Sequence, residues 1–160
     1  MATITKLGIP DPSNQLGASP YGNLTAFRYV LKTVASGAVE GGDSTAAVAS
    51  GDTVKIGLLP AGFRLIDSEI VVKTGMTATI TAKVGFAYAD GVDSTAVPQD
   101  DDFFGTGITV ATAGRYRNAT SNPSLTLPKE AWLTLTTAVA ANAKASEMEI
   151  IVFAINEGVA

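Results

Sequence analysis

The residues from Gly51 to Thr74, GDTVKIGLLPAGFRLIDSEIVVKT, constrain the fold of this chain more than any other stretch. Val54, Ile56 and Leu58 alternate with Thr53, Lys55 and Gly57, a period of two that sets an apolar row against a polar one on an extended strand. Leu59-Pro60-Ala61-Gly62 then interrupts, and a second apolar series runs from Phe63 to Val72. Pro60 presets the backbone for the second position of a tight turn, and Gly62 accepts a positive φ without a Cβ clash. The simplest reading is a strand, a turn and a returning strand, a hairpin. Nothing in it is catalytic, so the stretch announces a scaffold.

The same alternation recurs along the chain. Thr25 to Thr33 sets Phe27, Tyr29 and Leu31 against Arg28 and Lys32. Thr77 to Tyr88 is the longest regular run, with Ala78, Ile80, Ala82, Val84, Phe86 and Tyr88 on one face and Thr77, Thr79, Thr81, Lys83 and Gly85 on the other. A slip of one residue there would turn every apolar side chain to solvent, so its register is expected to be tightly held. Gly107 to Thr112, Leu125 to Leu127 and Trp132 to Leu135 read as short strands, with a further short one near Ala46 to Ala49 inside the loop Val34 to Ser50. Gly114 to Pro123 reads as turns and Ala138 to Ser146 as a loop. Glu147 to Ile155 is apolar on both faces, which predicts burial inside a sandwich on one side and against something else on the other. About eight short strands with turn signals between them predict an all-β fold, a jelly-roll β-sandwich.

Residues 1–24 break this pattern. Pro10, Pro12 and Pro20 leave no helical or strand period, which predicts an extended N-terminal arm, 1–24, ahead of a sandwich domain, 25–160. Ile4, Leu7, Ile9, Leu16, Tyr21 and Leu24 are more apolar than a solvated, disordered tail usually is. The arm is therefore expected to lie along a surface, its own or a partner's.

Composition removes most chemistry. At 160 residues the chain forms one domain of ordinary core size. It has no cysteine and no histidine, which excludes disulfides, thiol nucleophiles, thiolate or imidazole metal sites and histidine bases. Charged residues make up 16% of the chain and the net charge is -4, opposite to what a phosphate backbone attracts. Arg115-Tyr116-Arg117 is the nearest thing to a basic cluster, and no nucleic-acid partner is expected. No apolar run reaches the roughly 18 residues of a membrane span, and the first residues lack the pattern of a signal peptide, so no membrane is expected either.

What remains for catalysis is a carboxylate pair, and Glu69 and Glu149, both in predicted strands, are the candidates. Exposed or rim positions account for them better. Asp90, Asp93, Asp100, Asp101 and Asp102 gather oxygen ligands suited to a hard cation, but they match no EF-hand spacing and read better as a solvated loop. No metal or cofactor is predicted. Trp132 and Tyr116 offer the makings of an aromatic platform for sugar, although a lone tryptophan in a strand is expected to pack inward.

GDTVKIGLLPAGFRLIDSEIVVKTG, followed by TATITAKVGFAYADG and the late pair TLPKEAWLTLTT and EMEIIVFAI, resembles small jelly-roll structural proteins of tailed bacteriophages, in particular capsid decoration or cement proteins. The resemblance covers roughly Gly51 to Ile155 and is one of pattern. It implies a virion structural protein without enzymatic activity, made in the host cytoplasm and carried on the capsid surface. It further implies a homotrimer that binds the major capsid protein across capsomer junctions. The expected contact residues are Ile4, Leu7, Ile9, Leu16 and Tyr21 of the arm. The reading from another class is a receptor- or carbohydrate-binding module of a phage fibre or spike.

Overall fold

A computed structural model describes residues 1–5, 24–117 and 120–158. They form strands β1 (Thr3–Thr5), β2 (Leu24–Thr33), β3 (Thr53–Leu59), β4 (Phe63–Thr74), β5 (Thr81–Tyr88), β6 (Asp100–Ile108), β7 (Gly114–Arg117), β8 (Leu125–Thr126), β9 (Ala131–Ala138) and β10 (Ser146–Asn156), with no helix among the described residues. One sheet has the order β1-β3-β9-β5-β6; the other has the order β2-β10-β4-β7, with β8 also beside β4. Every pairing is antiparallel except that of β1 with β3. Apart from β1 and β8, consecutive strands change sheet at each connection but the β5–β6 hairpin, the order of a jelly roll.

One core lies between the sheets. Leu31, Val54, Leu65, Val84, Leu133, Leu135, Met148, Ile150 and Val152 are wholly buried in it. Edge-to-face ring pairs, Phe27 with Phe63 at 5.1 Å and Phe86 with Phe103 at 5.6 Å, fill its wide places.

The stretch from Gly51 to Thr74 is not a hairpin. β3 lies in the first sheet and β4 in the second, so Pro60-Ala61-Gly62 carries the chain across the sandwich instead of back along the same sheet. Gly62 does take the positive φ, +77°, and its N–H donates to Leu127 O. A turn signal fixes a change of direction, while the choice of partner strand is made by distant residues.

Both strands also change phase part-way. Between Lys55 and Gly57 the pairing with β9 slips by one residue, so Gly57 and Leu59 turn inward and Leu58 outward, opposite to the regular alternation. In β4 a slip opposite Phe153 and Ala154 leaves Ile66 as the extra residue, 40% exposed, and brings Ser68, Ile70 and Val72 inward. These are β-bulges, which bend and twist a strand while exchanging its faces.

Other differences are local. The strand expected from Thr77 starts at Thr81, because Thr79 adopts φ 72° and Ala78 is exposed. No strand forms at Ala46 to Ala49, and the one expected at Gly107 to Thr112 is absent, since β6 ends at Ile108 beside Gly107 at φ +66°. β7 lies inside the stretch expected to be turns. Residues 3–5 belong to the first sheet, so the start of the expected arm is part of the sandwich.

Candidate functional site

The outer face of the second sheet divides into two parts. At one end Leu24 is 63% exposed and Ile66 40%, with Ile151, Phe153 and Ile155 half-buried near them, Leu24 being the register partner of Ile155. These β10 side chains form an apolar strip at the outside of the sandwich. The other end is charged. Glu149 on the central strand β10 is paired with Arg28 from β2 and with Lys73 from β4. Lys73 also reaches Glu147 at 3.3 Å, and Lys32 reaches Glu147 at 3.5 Å. Arg115 of β7 bonds Glu69 at 2.5 Å, and Arg117 stands 3.4 Å from Asp67.

Alternation explains this lattice. Residues two apart on one strand share a face, and diagonal neighbours on adjacent strands lie within reach of long side chains. Hydrogen bonds from Arg28, then from Lys73, pull the Glu149 carboxyl down to about 2. Lys73 and Lys32 lower Glu147 likewise, and Glu149 raises the Arg28 and Lys73 values.

This arrangement answers the question of a carboxylate pair. Glu69 and Glu149 do share a face, on neighbouring strands, but Glu69 is only 9% exposed, not the exposed position expected of it, and each carboxylate is held by cationic side chains. A general acid needs its pKa raised toward working pH, and Glu149 is moved the other way. The pair serves as a mount for cations.

The acidic segment also comes apart. Lys129 Nζ donates to Asp90 at 2.7 and 2.9 Å and lies 4.6 Å from the Tyr88 ring centre. Asp93 accepts from the backbone N–H groups of Ser94 and Gln99 at 2.8 and 2.7 Å, closing the loop on itself. Among the described residues, Asp100, Asp101 and Asp102 are the only group of three or more carboxylates whose oxygens all lie within 4.8 Å of one another. Partial burial, then the neighbouring carboxylates, push Asp100 up, while Lys83 stands 3.4 Å from Asp101 and 3.8 Å from Asp102. The Lys83 ammonium group beside them offsets part of their negative charge.

Trp132 is not in the core. Ala131, Leu133 and Leu135 point inward, so Trp132 lies half-buried on the outer face of the first sheet, with Lys55 Nζ 5.5 Å from its ring. Tyr116 belongs to the second sheet, opposite Ile70, and the two rings make no common platform.

Of the expected contact residues, Ile4 is 2% exposed and packs into the core of its own chain. Leu7, Ile9, Leu16 and Tyr21 lie outside the described residues. Sequence reasoning missed the acceptors that hold β1, Asp43 and Asp52: Thr5 N–H donates to Asp43 Oδ1 at 2.9 Å and Ala2 N to Asp52 Oδ1 at 2.7 Å. An aspartate beside a turn signals a local backbone acceptor. It does not reveal a donor roughly forty to fifty residues earlier.

No protein-family model matches the sequence, and no curated protein matches it. Among solved structures, the chain is similar to one in the capsid of Ralstonia phage GP4, with 18% identity over 99% of this chain and 100% of that one and a TM-score of 0.64. It is also similar to a chain in the capsid asymmetric unit of cyanophage Pam1, with 16% identity over 93% of this chain and 99% of that one and a TM-score of 0.56. At such identities the likeness shows a shared fold.

Proposed function

We propose that this chain is a capsid decoration or cement protein of a tailed bacteriophage, a non-enzymatic virion component on the outer shell. Its partner is the major capsid protein, bound across capsomer junctions, and copies associate as a homotrimer. The observation that carries the reading is the end-to-end extent of the likeness, 99% of this chain against 100% of a chain from a phage capsid. The surface suits the role: broad sheet faces of apolar strip and paired charge offer area for contact.

The mechanism is linkage. Contacts made only on the intact shell must be broken before it bursts, so bound copies raise its stability. Leu7, Ile9, Leu16 and Tyr21 are the proposed attachment residues, with Ile4 committed to the core. Purified protein added to shells stripped of it is expected to rebind and raise their melting temperature. No binding, or binding without stabilisation, overturns the reading. Replacing Leu7, Ile9, Leu16 and Tyr21 together by serine is expected to weaken attachment at least tenfold while leaving the melting temperature of the free protein unchanged.

The outward position of Trp132 favours a second reading, a carbohydrate- or receptor-binding module, since jelly rolls also serve as lectins. The chain has one tryptophan, so quenching or enhancement of its fluorescence by added glycans separates the two.

A further inference from the structure

β1 differs from every other described strand. It is three residues long, it makes the one parallel pairing, and it sits on the free side of β3 in a seat prepared at both ends. Asp52, 5% exposed, accepts from Ala2 N at 2.7 Å and from Ala49 N at 2.8 Å. Thr53 N donates to Ala2 O at 3.1 Å. At the far end Asp43 accepts from Thr5 N through its carboxylate and donates its own N–H to Thr5 O, both at 2.9 Å. Between these clamps Ile4 enters the core, and a Cβ placed on Gly42 would stand 3.3 Å from its Cγ2.

This is the chemistry of strand addition, in which main-chain bonds supply affinity and a pocket for one side chain supplies specificity. All of these contacts to the seat are made by residues 2–5. The seat therefore reads a short peptide, and it reads the same peptide from any copy of the chain.

We propose that the seat is a strand-exchange site whose occupant in the assembled protein is residues 2–5 of a second copy, with that copy's Ile4 in the core position described. The seat's clamps and pocket are complementary to Ala2–Thr5 of this sequence, so every copy of the chain carries a strand that fits it. The linking segment 6–23 has a contour of roughly 60 Å at full extension, enough to span to a neighbour. Exchange of identical elements replaces each contact with its equal, so little free energy opposes it. A bare β3 edge would be a template for aggregation, and reciprocal exchange keeps it covered. The inference rests on the self-association in the proposed function and not on capsid binding, and because it is tested in free protein its failure leaves the capsid-binding reading standing.

The absence of cysteine gives a direct test. Neither Ile4→Cys nor Gly42→Cys can close a disulfide within its own chain. A bond between positions 4 and 42 of different chains forms when the first strand of an Ile4→Cys copy occupies the seat of a Gly42→Cys copy. Equal amounts of the two full-length variants are co-refolded at ~1 mM, near the effective concentration of a tethered segment. They are then oxidised and run on a non-reducing gel. The expected result is a heterodimer at least tenfold more abundant than in a control where Val92→Cys, at a residue 62% exposed, replaces Ile4→Cys. Thr3→Cys with Thr53→Cys, a register pair outside the core, repeats the test should either core variant fail to fold. Heterodimer no more abundant than the control in the folded pair overturns the proposal. So does a double variant that closes only its own disulfide as a monomer under the same conditions.

Discussion

Gly57 shows how a single side chain, or the lack of one, settles a local structure. A Cβ there would lie 2.2 Å from two ring carbons of Tyr29, whose hydroxyl donates to Leu58 O. Burial raises the Tyr29 pKa, so the ring stays protonated as a donor at any physiological pH. Gly57→Ala is expected to cost about 1–3 kcal/mol through overpacking, read as a lower denaturation midpoint. Pairing it with Tyr29→Leu should recover part of that loss. Ser68 is the opposite case: it is wholly buried, and its hydroxyl has no hydrogen-bond partner among the described residues. Ser68→Ala is expected to leave the melting temperature equal or higher, since an orphaned buried hydroxyl contributes desolvation cost and no bond. Trp132 departs from the inward position expected of it for a related, local reason. Its indole has Lys55 as a partner on the outer face, which a rule about lone tryptophans does not anticipate.

At the scale of elements, alternation makes β2 and β10 legible almost to the residue, and β5 from Thr81 onward, because each keeps one phase through most of its paired length. β3 and β4 are legible as strands but not as partners. Their bulges reverse the faces, and their turn joins two sheets where local signals can only report a reversal. β7 is invisible, since four residues with one aromatic carry no period. The candidate surface is half legible: β10 announces a two-faced strand, while the ion pairs depend on which strands stand beside it. Loops at one end are tied by Asn142, 1% exposed, a role no spacing reveals. Its amide donates to Thr33 Oγ1 at 3.0 Å and Lys144 O at 2.9 Å, and its carbonyl accepts from Thr77 N at 3.1 Å. Asn142→Ala is expected to lower stability by about 2–4 kcal/mol in denaturant titration, having orphaned several buried groups at once.

For the whole molecule, the charge lattice sets an acid response. Glu149 and Glu147 are held below the ordinary carboxylate value by their cations, so they bind protons less readily folded than unfolded. Their contribution is present above the unfolded value, about 4.3, and is lost as pH falls from there toward about 2, the folded value of Glu149. The melting temperature is expected to decline across that window, and Glu149→Gln should flatten the decline. Added salt should shrink the same effect, because most of the cations in the lattice are about half exposed.

The pairing of β2 with β10 has a mechanical consequence. Leu24, where the chain enters β2, lies beside Ile155, near the end of β10, and the two strands run antiparallel from there to Thr33 and Ser146. A pull that separates residues 24 and 155 loads the ladder one rung at a time, as a zip opens, instead of shearing all its bonds together. The peel would first meet the apolar strip and only then the Arg28 and Glu149 lock. A load is accordingly better resisted when it is spread over the breadth of a sheet than when it tugs on β2 at Leu24.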